Sequence, residues 1–371
     1  MMDLPLKGLV VLEFSQYLSG PSAGLRLADL GARVIKIERP GIGDAGRKLA
    51  IKNLWVDDSS LLFHTINRNK ESISANLKDA TDLELIKKLL AKADILIHNF
   101  RPGVMEKTGL GFEQVQQINP RIIYAAISGY GKTGPWKNKP GQDLLLQSIT
   151  GLAYTTGNGD NGPVPFGIAI GDILSGAQLV QGILAALIRR HKTCKGALIE
   201  VSLMESLLDF QFELLTTYFA SEQQPVRSVI NNGHALLGAP YGIYKTASGH
   251  IALAMMDLHA LANAIGCTAL LAFTKEEAFI KRDAIKELLT NYFLQQESSY
   301  WIDKLHEFDL WAMEVMDWEK MTQQKAYQLL AMEQELNTGD KKIVTTRCPI
   351  RINGERLYAS NGAPVLGKHK N

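Results

Sequence analysis

The chain has 371 residues, a length that favours two domains and allows each to bury a core. A hydrophobic content of 46% and a charged content of 21% are typical of a globular protein, and a net charge of +2 argues against a nucleic-acid-binding function. Cys194, Cys267 and Cys348 lie too far apart to suggest disulfides or a metal site. Since neither a secretory leader nor an apolar run of about 18 residues is evident, we expect a cytoplasmic protein.

The first half of the chain alternates short apolar runs with helical patterns. The segment from Pro21 to Leu30 begins with proline and is followed by Gly31, a pattern typical of a helix. Short apolar runs predict strands at Gly8–Phe14, Ala32–Glu38, Ala93–His98 and Arg121–Ile127. This alternation indicates an α/β fold with a parallel sheet covered by helices on both faces.

Polar, glycine-bearing segments follow these predicted strands. They lie at residues 15–21, 39–41, 99–103 and 128–131. In a parallel sheet, ligands bind beyond the carboxyl ends of the strands, so these segments are candidate binding loops. None of them has the glycine spacing of a Walker loop or a dinucleotide-binding fingerprint.

The second half begins with a strand and ends in a smaller unit. We predict a strand at Ala197–Ser202, an amphipathic helix from Leu203 to about Phe219, and a turn-rich linker from Gln223 to Pro240. Further patterns predict strands near 241–245 and 251–255 and helices near 258–265, 275–293 and 300–307. The end, from Ile343 to Leu366, is irregular and strand-like, with a turn at Asn353–Gly354.

A single acid, Asp172, stands in the glycine-rich run Gly167–Gly176, just before an apolar helix pattern at Ala177–Ile188. Aspartate is a favoured helix N-cap, so Asp172 is either a cap or a reactive carboxylate near a helix N-terminus. The glycines of the run lack Cβ atoms, which lets a substrate or another backbone approach closely.

Several blocks in order resemble the class III coenzyme A transferases, a family that includes formyl-CoA and carnitine-CoA transferases and α-methylacyl-CoA racemase. The resemblance is dense in the first 205 residues and sparse after residue 260. The blocks that carry it are Leu6–Phe14, Gly20–Pro21, Ala28–Glu38, Asn67–Lys70, Asp94–Gly103, Gly129–Pro135, Gly167–Gly176 and Gly182–Leu187.

The resemblance implies a large Rossmann-like domain that binds coenzyme A and a smaller α+β domain. The large domain is expected at residues 1–222 and the small domain at 223–322, with the segment 323–371 returning to the large domain. The resemblance also implies an interlocked homodimer.

In the resemblance, Asp172 falls on the family's nucleophilic aspartate. A carboxylate there attacks an acyl-CoA thioester and forms a mixed anhydride, and the released CoA thiolate then gives an aspartyl-CoA thioester. A second carboxylic acid takes the CoA by the same route, which divides a hard exchange into easier steps. The resemblance therefore implies that the substrates are an acyl-CoA and a carboxylic acid, and we expect no metal and no tightly bound cofactor.

The family's coenzyme A contacts map onto positions spread along the first 107 residues. Arg39 and Lys78 are expected partners of the phosphates, and Lys107 replaces a family arginine, giving a point charge without the bidentate fork. The full set is Tyr17, Leu18, Arg39, Ala75, Lys78, Asn99, Phe100 and Lys107. Leu18 replaces a glutamine of formyl-CoA transferase, so specificity for formyl and oxalate groups is not implied.

Two alternatives stay open at this point. The racemase branch places a His-Asp pair at Gln142–Asp143, and an amide at residue 142 removes one proton acceptor. We therefore expect Gln142 and Asp143 to line the acyl pocket, with a structural hydrogen-bonding role as the alternative for Asp143. The second alternative is a related protein that binds CoA but does not catalyse a reaction, and the weak match after residue 260 suggests it.

Overall fold

The computed structural model describes residues 3–338 and 341–369. The chain divides into two compact units. The first comprises Met1–Leu146, Ile168–Asp209 and Leu329–Asn371, and the second comprises Gln147–Gly167 and Phe210–Gln328. The domain boundaries predicted after residues 222 and 322 stay predictions.

A six-stranded parallel sheet organises the described part of the first unit. Its strands are β1 (Val10–Glu13), β2 (Arg33–Glu38), β5 (Lys70–Ser74), β6 (Ile95–His98), β7 (Ile123–Ser128) and β8 (Ala197–Ser202). Their order across the sheet is β5-β2-β1-β6-β7-β8. Counted within the sheet alone, this is 3-2-1-4-5-6, the order of doubly wound sheets. The α/β fold and its parallel sheet are thereby confirmed.

Helices and short hairpins complete the first unit. The helices are α1 (Ser19–Asp29), α2 (Leu61–Ile66), α3 (Ala80–Leu90), α4 (Val104–Lys107), α5 (Phe112–Ile118), α6 (Asp143–Ile149, which extends into the second unit), α7 (Ile170–Thr193) and α8 (Leu203–Phe210, whose last residue belongs to the second unit). The hairpins are β3 (Trp55–Val56) with β4 (Ser59–Ser60), β12 (Glu333–Thr338) with β13 (Lys341–Thr346), and β14 (Arg351–Ile352) with β15 (Glu355–Arg356).

The second unit combines a small antiparallel sheet with helices. Its strands are β9 (Gly242–Lys245), β10 (His250–Leu253) and β11 (Ala312–Glu314). Its helices are α9 (Phe212–Ser221), α10 (Leu258–Ile265), α11 (Glu277–Ile280), α12 (Arg282–Phe293), α13 (Ser298–Glu307), α14 (Trp318–Gln323) and α15 (Lys325–Leu330, which ends in the first unit). Tyr244, Phe293 and Trp301 meet at the centre of its core.

A buried ionic cluster lies beneath the loop that joins β1 to α1. The Lys36 ammonium lies 2.8 Å from a carboxylate oxygen of Glu13 and 2.8 Å from one of Asp44. Lys70 pairs with the other Glu13 oxygen at 2.8 Å. Burial opposes the charge on Lys36, but the two carboxylates outweigh it and raise the pKa of that ammonium. For Lys70, burial dominates and lowers the pKa to about 8.

The C-terminal segment runs along β5, the edge strand of the sheet. The side-chain oxygen of Asn69 accepts hydrogen bonds from the backbone of Ser360 and Asn361. Further along the strand, the Ser72 N–H donates to the His369 ring, and the Ser72 hydroxyl accepts from the Gly367 N–H. The bond from the Ser72 N–H satisfies a backbone group of the edge strand that would otherwise remain open for pairing.

Among the helices that the structure describes, α7 is long and apolar enough, by length and composition, to cross a membrane. The expectation concerned an uninterrupted, uncharged apolar run of about 18 residues, and α7 does not contain one, because Asp172, Gln178 and Gln181 interrupt it. A core helix of a globular domain meets the length and composition criterion as well, and α7 packs against α1, β7 and β8 through one buried face.

Candidate active site

Asp172 lies in the first turn of α7, which begins at Ile170 rather than at Ala177. The N-cap residue is Ala169, which has no side chain able to accept a capping hydrogen bond. The possibility that Asp172 is the N-cap is therefore wrong. An acid in the first turn of a helix is nevertheless favoured by the positive end of the helix dipole.

The helix end is capped instead by Asp143, the first residue of α6. A carboxylate oxygen of Asp143 accepts the backbone N–H of Gly171 at 2.7 Å and that of Asp172 at 3.1 Å. Asp143 is only 8% exposed. Of the two roles considered for Asp143, the structure shows the hydrogen-bonding one, and its neighbour Gln142 is exposed.

Ser19, at the start of α1, lies beside the first turns of α7, since a Cβ atom on Gly176 would come within 2.8 Å of the Ser19 carbonyl oxygen. Burial raises the pKa of Asp172, the nearby Asp143 charge adds to the rise, and the polar groups of Ser19 oppose it, so that the value is about 6. Asp172 is therefore still largely ionised at neutral pH, but it is a stronger base than an ordinary aspartate.

Two glycines of the Asp172 run have packing roles in the first unit. A Cβ atom on Gly176 would lie 2.2 Å from the Ser22 hydroxyl and 2.8 Å from the Ser19 carbonyl oxygen, so this glycine lets α1 approach α7. A Cβ atom on Gly171 would lie 2.9 Å from the capping oxygen of Asp143. Of Gly167, Gly171 and Gly176, only Gly167 has open space where a Cβ atom would lie. Gly171 and Gly176 therefore do not provide clearance for a substrate.

The predicted coenzyme A residues lie at the carboxyl ends of neighbouring strands. Tyr17 and Leu18 follow β1, Arg39 follows β2, and Ala75 follows β5. Asn99 and Phe100 follow β6, next to β1 in the sheet. The order of strands reverses between β1 and β6, the place where open α/β sheets bind ligands.

The predicted phosphate partners have the exposure that this role needs. Arg39, Lys78 and Lys107 are all exposed, and Lys107 ends the short helix α4. Ala75 is buried and donates its backbone N–H to the carbonyl of Glu38, so it contributes to the strand end rather than to a charged surface. Tyr17 is half exposed and has a left-handed backbone, with φ of 63°.

Asn99 connects the loop after β1 to Ser19. Its side-chain oxygen accepts the Gln16 N–H at 2.8 Å, and its NH2 group donates to the Gln16 carbonyl at 2.7 Å. The same NH2 group donates to the Ser19 hydroxyl at 3.2 Å. Asn99 therefore connects the end of β6 to the loop after β1 and to the start of α1.

Sequence reasoning missed Ser19 and Asp44 as site residues. Asp44 accepts the Tyr17 N–H at 3.0 Å while it pairs with Lys36, so it fixes the loop after β1. The only sequence signal for Ser19 was its place in the polar loop before Gly20–Pro21.

A cavity of about 860 Å³ lies elsewhere in the first unit, between residues 41–71 and the C-terminal segment. Among the described residues that line it, none is a predicted site residue. The candidate site therefore lies at the carboxyl ends of the strands, and this cavity is not part of it.

Comparison with known proteins agrees with this geometry. The model of CoA-transferase family III matches residues 6–370. The chain is 36% identical over 311 residues to the acetyl-CoA:oxalate CoA-transferase of Acetobacter aceti, which covers 82% of this chain and 78% of that protein. It is 30% identical over 382 residues to the succinate–glutarate CoA-transferase of Agrobacterium fabrum, which covers 99% of this chain and 94% of that one.

A solved structure has the same fold. The crystal structure of a CaiB/BaiF family protein from Brucella suis has a TM-score of 0.86 and 30% sequence identity, and the match covers 100% of this chain and 98% of that one. The resemblance inferred from the sequence blocks is confirmed, and the chain belongs to the class III coenzyme A transferase family.

Proposed function

We propose that the chain is a transferase that moves coenzyme A from an acyl-CoA to a carboxylic acid, with Asp172 as the nucleophile. The observation that carries the proposal is the place of this carboxylate in a chain of this family: it is partly buried in the first turn of α7, and Asp143 rather than Asp172 caps that helix. Burial also raises its pKa to about 6. A carboxylate that is basic and still ionised suits attack on a thioester.

The chemistry proceeds through four substitutions in this proposal. Asp172 attacks the acyl-CoA carbonyl, which forms a mixed anhydride and releases the CoA thiolate. The thiolate attacks the aspartyl carbonyl, which gives aspartyl-CoA and frees the first acid. The second acid attacks aspartyl-CoA, and the thiolate released then attacks the acyl carbonyl of that acid, which restores the Asp172 carboxylate.

The loops at the carboxyl ends of the strands supply the binding surface for coenzyme A in this proposal. Exposed Arg39, Lys78 and Lys107 are the candidate partners of its phosphates, because cationic side chains compensate the negative charge of a phosphate. Tyr17 and Phe100 offer flat rings at neighbouring strand ends for the adenine base.

The acid substrates are proposed to be short dicarboxylates. The two relatives above carry oxalate, or succinate and glutarate, in their names, and each of these is a dicarboxylic acid. A panel of acyl-CoA esters and short dicarboxylic acids is therefore the right set for the first assays.

Exposed apolar side chains in the second unit support a homodimer. Helix α9 has no buried residue, with Phe212 62% and Phe219 71% exposed, and Trp318 of α14 is 83% exposed. Apolar groups of this size and number at a surface mark interaction sites. Light scattering on the full chain is expected to give twice the monomer mass, and a monomer at micromolar concentration would contradict the homodimer.

Intact-protein mass spectrometry tests the nucleophile. After incubation with the acyl-CoA panel, we expect an added mass of CoA or of the acyl group that hydroxylamine removes. Asp172→Ala is expected to lose both the added mass and turnover, whereas Asp303→Ala, which removes an exposed acid of α13, keeps both. If the wild-type chain gains no mass with any member of the panel, the covalent mechanism is contradicted. Loss of deuterium from the α-carbon of a 2-methylacyl-CoA, without an acid acceptor, would indicate the racemase instead.

A further inference from the structure

The side-chain amide of Asn99 continues the pairing of β1 with β6 beyond the ends of both strands. The Phe14 N–H donates to the Ile97 carbonyl at 2.8 Å. Two residues further on, the Gln16 N–H donates to the Asn99 side-chain oxygen at 2.8 Å, and the Asn99 NH2 group donates to the Gln16 carbonyl at 2.7 Å. A flipped amide would set donor against donor and acceptor against acceptor, so this pair of bonds fixes the orientation of the amide.

In this arrangement Asn99 has no amide hydrogen left for a ligand. Its NH2 group carries two hydrogens, and they go to the Gln16 carbonyl at 2.7 Å and to the Ser19 hydroxyl at 3.2 Å. A phosphate oxygen is an acceptor and needs a donor, so the amide can bind a phosphate only by giving up one of these bonds. The side chain of Asn99 is therefore committed to its own chain.

The loop after β1 is held at four consecutive backbone groups. The Ser15 carbonyl accepts a hydrogen bond from the Lys36 ammonium at 2.8 Å. The Tyr17 N–H donates to the Asp44 carboxylate at 3.0 Å. The two groups between them are the ones that the Asn99 amide holds. Three side chains from separate parts of the sequence thus determine the path of the loop.

Tyr17 has a backbone conformation that must be imposed by such contacts. Its φ of 63° lies in the left-handed region, which a bulky side chain rarely adopts. The peptide that precedes it is held at both of its polar groups, because Asn99 binds the Gln16 carbonyl and Asp44 binds the Tyr17 N–H. The Tyr17 ring is 53% exposed at the carboxyl end of β1, so this peptide sets where the ring stands.

We infer that Asn99 is a positioning residue for the coenzyme A site and not a ligand of its phosphates: its amide holds the peptide that places the Tyr17 ring. The inference rests on the proposed function, because Tyr17 is proposed there as a flat ring for the adenine base. Without the amide, the peptide is free to turn and Tyr17 relaxes to an ordinary backbone region. The cost then falls on binding of coenzyme A rather than on the chemical step at Asp172.

The first test measures binding of CoA to the full chain by calorimetry and compares Asn99→Ala with Asn119→Ala. Asn119 is half-buried like Asn99 and also uses both amide hydrogens within the chain, on the Leu90 and Ala93 carbonyls. It precedes β7, however, and so lies at the amino ends of the strands. We expect Asn99→Ala to raise the Kd for CoA about tenfold and Asn119→Ala to change it less than about twofold.

The second test repeats Asn99→Ala in a Tyr17→Ala background. If Asn99 acts through Tyr17, its loss should cost less than about twofold in Kd once the ring is gone, whereas a direct ligand would lose the same factor in both backgrounds. In steady-state assays, Asn99→Ala is expected to raise KM for the acyl-CoA more than it lowers kcat.

The outcomes separate this inference from the proposed function. A tenfold loss that persists in Tyr17→Ala, or an unchanged Kd in Asn99→Ala, would overturn the role of Asn99 while the adduct on Asp172 stays intact. If the expected pattern of Kd values appears but the wild-type chain forms no adduct, the inference holds and the proposed nucleophile fails. A wild-type chain that does not bind CoA would overturn both. If Asn99→Ala does not fold, Asn99→Ser replaces it in the same two backgrounds, because serine is too short to hold both groups of Gln16.

Discussion

The carboxylate of Asp143 accepts the backbone N–H of Asp172, with 3.1 Å between the oxygen and the nitrogen. One acid therefore caps the helix that carries the other. Because the capping is done by Asp143, the Asp172 carboxylate is not needed to cap its own helix. The same contact places two carboxyl groups close together, and the charge on Asp143 raises the pKa of Asp172.

Asp143→Asn is expected to lower the pKa of Asp172. The amide keeps an oxygen that can accept the Gly171 and Asp172 N–H groups, but it removes the like charge. The acid limb of the kcat/KM profile should therefore move to lower pH. Rate profiles from pH 4.5 to 8 check this, and an acid limb that stays in place or rises would contradict it.

Asp172→Asn is expected to stabilise the fold at neutral pH while it abolishes turnover. The pKa of Asp172 is raised from an ordinary value of 3.8 to about 6, so between these values the folded chain binds a proton that the unfolded chain has lost. Stability therefore falls as pH rises through this range, by up to about 3 kcal/mol at pH 7.

Denaturant unfolding at pH 4.5 and pH 7.5, at one protein concentration, measures this effect. The free energy of unfolding of Asp172→Asn should exceed that of the wild type at pH 7.5, and the difference should shrink at pH 4.5. A gain that is equal at both pH values would show that the amide stabilises the fold by some route other than relief of a buried charge.

Lys36→Met is expected to destabilise the fold much more than Arg33→Ala, although both residues belong to β2. Loss of Lys36 leaves the buried acids Glu13 and Asp44 with less compensation, at a cost of about 3–5 kcal/mol. Arg33 pairs with Glu71 near the surface, and loss of that pair costs about 0–1 kcal/mol. Denaturant unfolding of the two variants gives the comparison, and equal losses would show that the cluster is not a structural support.

The loop after β1 gives Lys36→Met a second readout. Asp44 accepts the Tyr17 N–H and pairs with Lys36, so freeing Asp44 loosens the loop that carries Tyr17. We expect KM for acyl-CoA to rise in folded Lys36→Met and to remain unchanged in Arg33→Ala. A rise in both variants would point to a general loss of the folded state instead.

Strands made of apolar runs were predictable, whereas β5 was not. The strands β1, β2, β6, β7 and β8 overlap the predicted ones, and β8 has the predicted bounds. In contrast, β5 has the sequence Lys-Glu-Ser-Ile-Ser, with Lys70 and Ser72 buried. Only the partners that these side chains find in the fold, Glu13 and Glu38, make their burial possible.

The sequence by itself determined the α/β class, the family and the candidate nucleophile, because apolar periodicity and ordered motif blocks are local in the chain. The tertiary structure decided what surrounds Asp172. Its capping partner is 29 positions away, and Ser19 is oriented by an amide 80 positions from it. Such contacts depend on how strands and helices pack. A local pattern can mark an acid in a glycine-rich run, but it does not show which distant residues will interact with that acid.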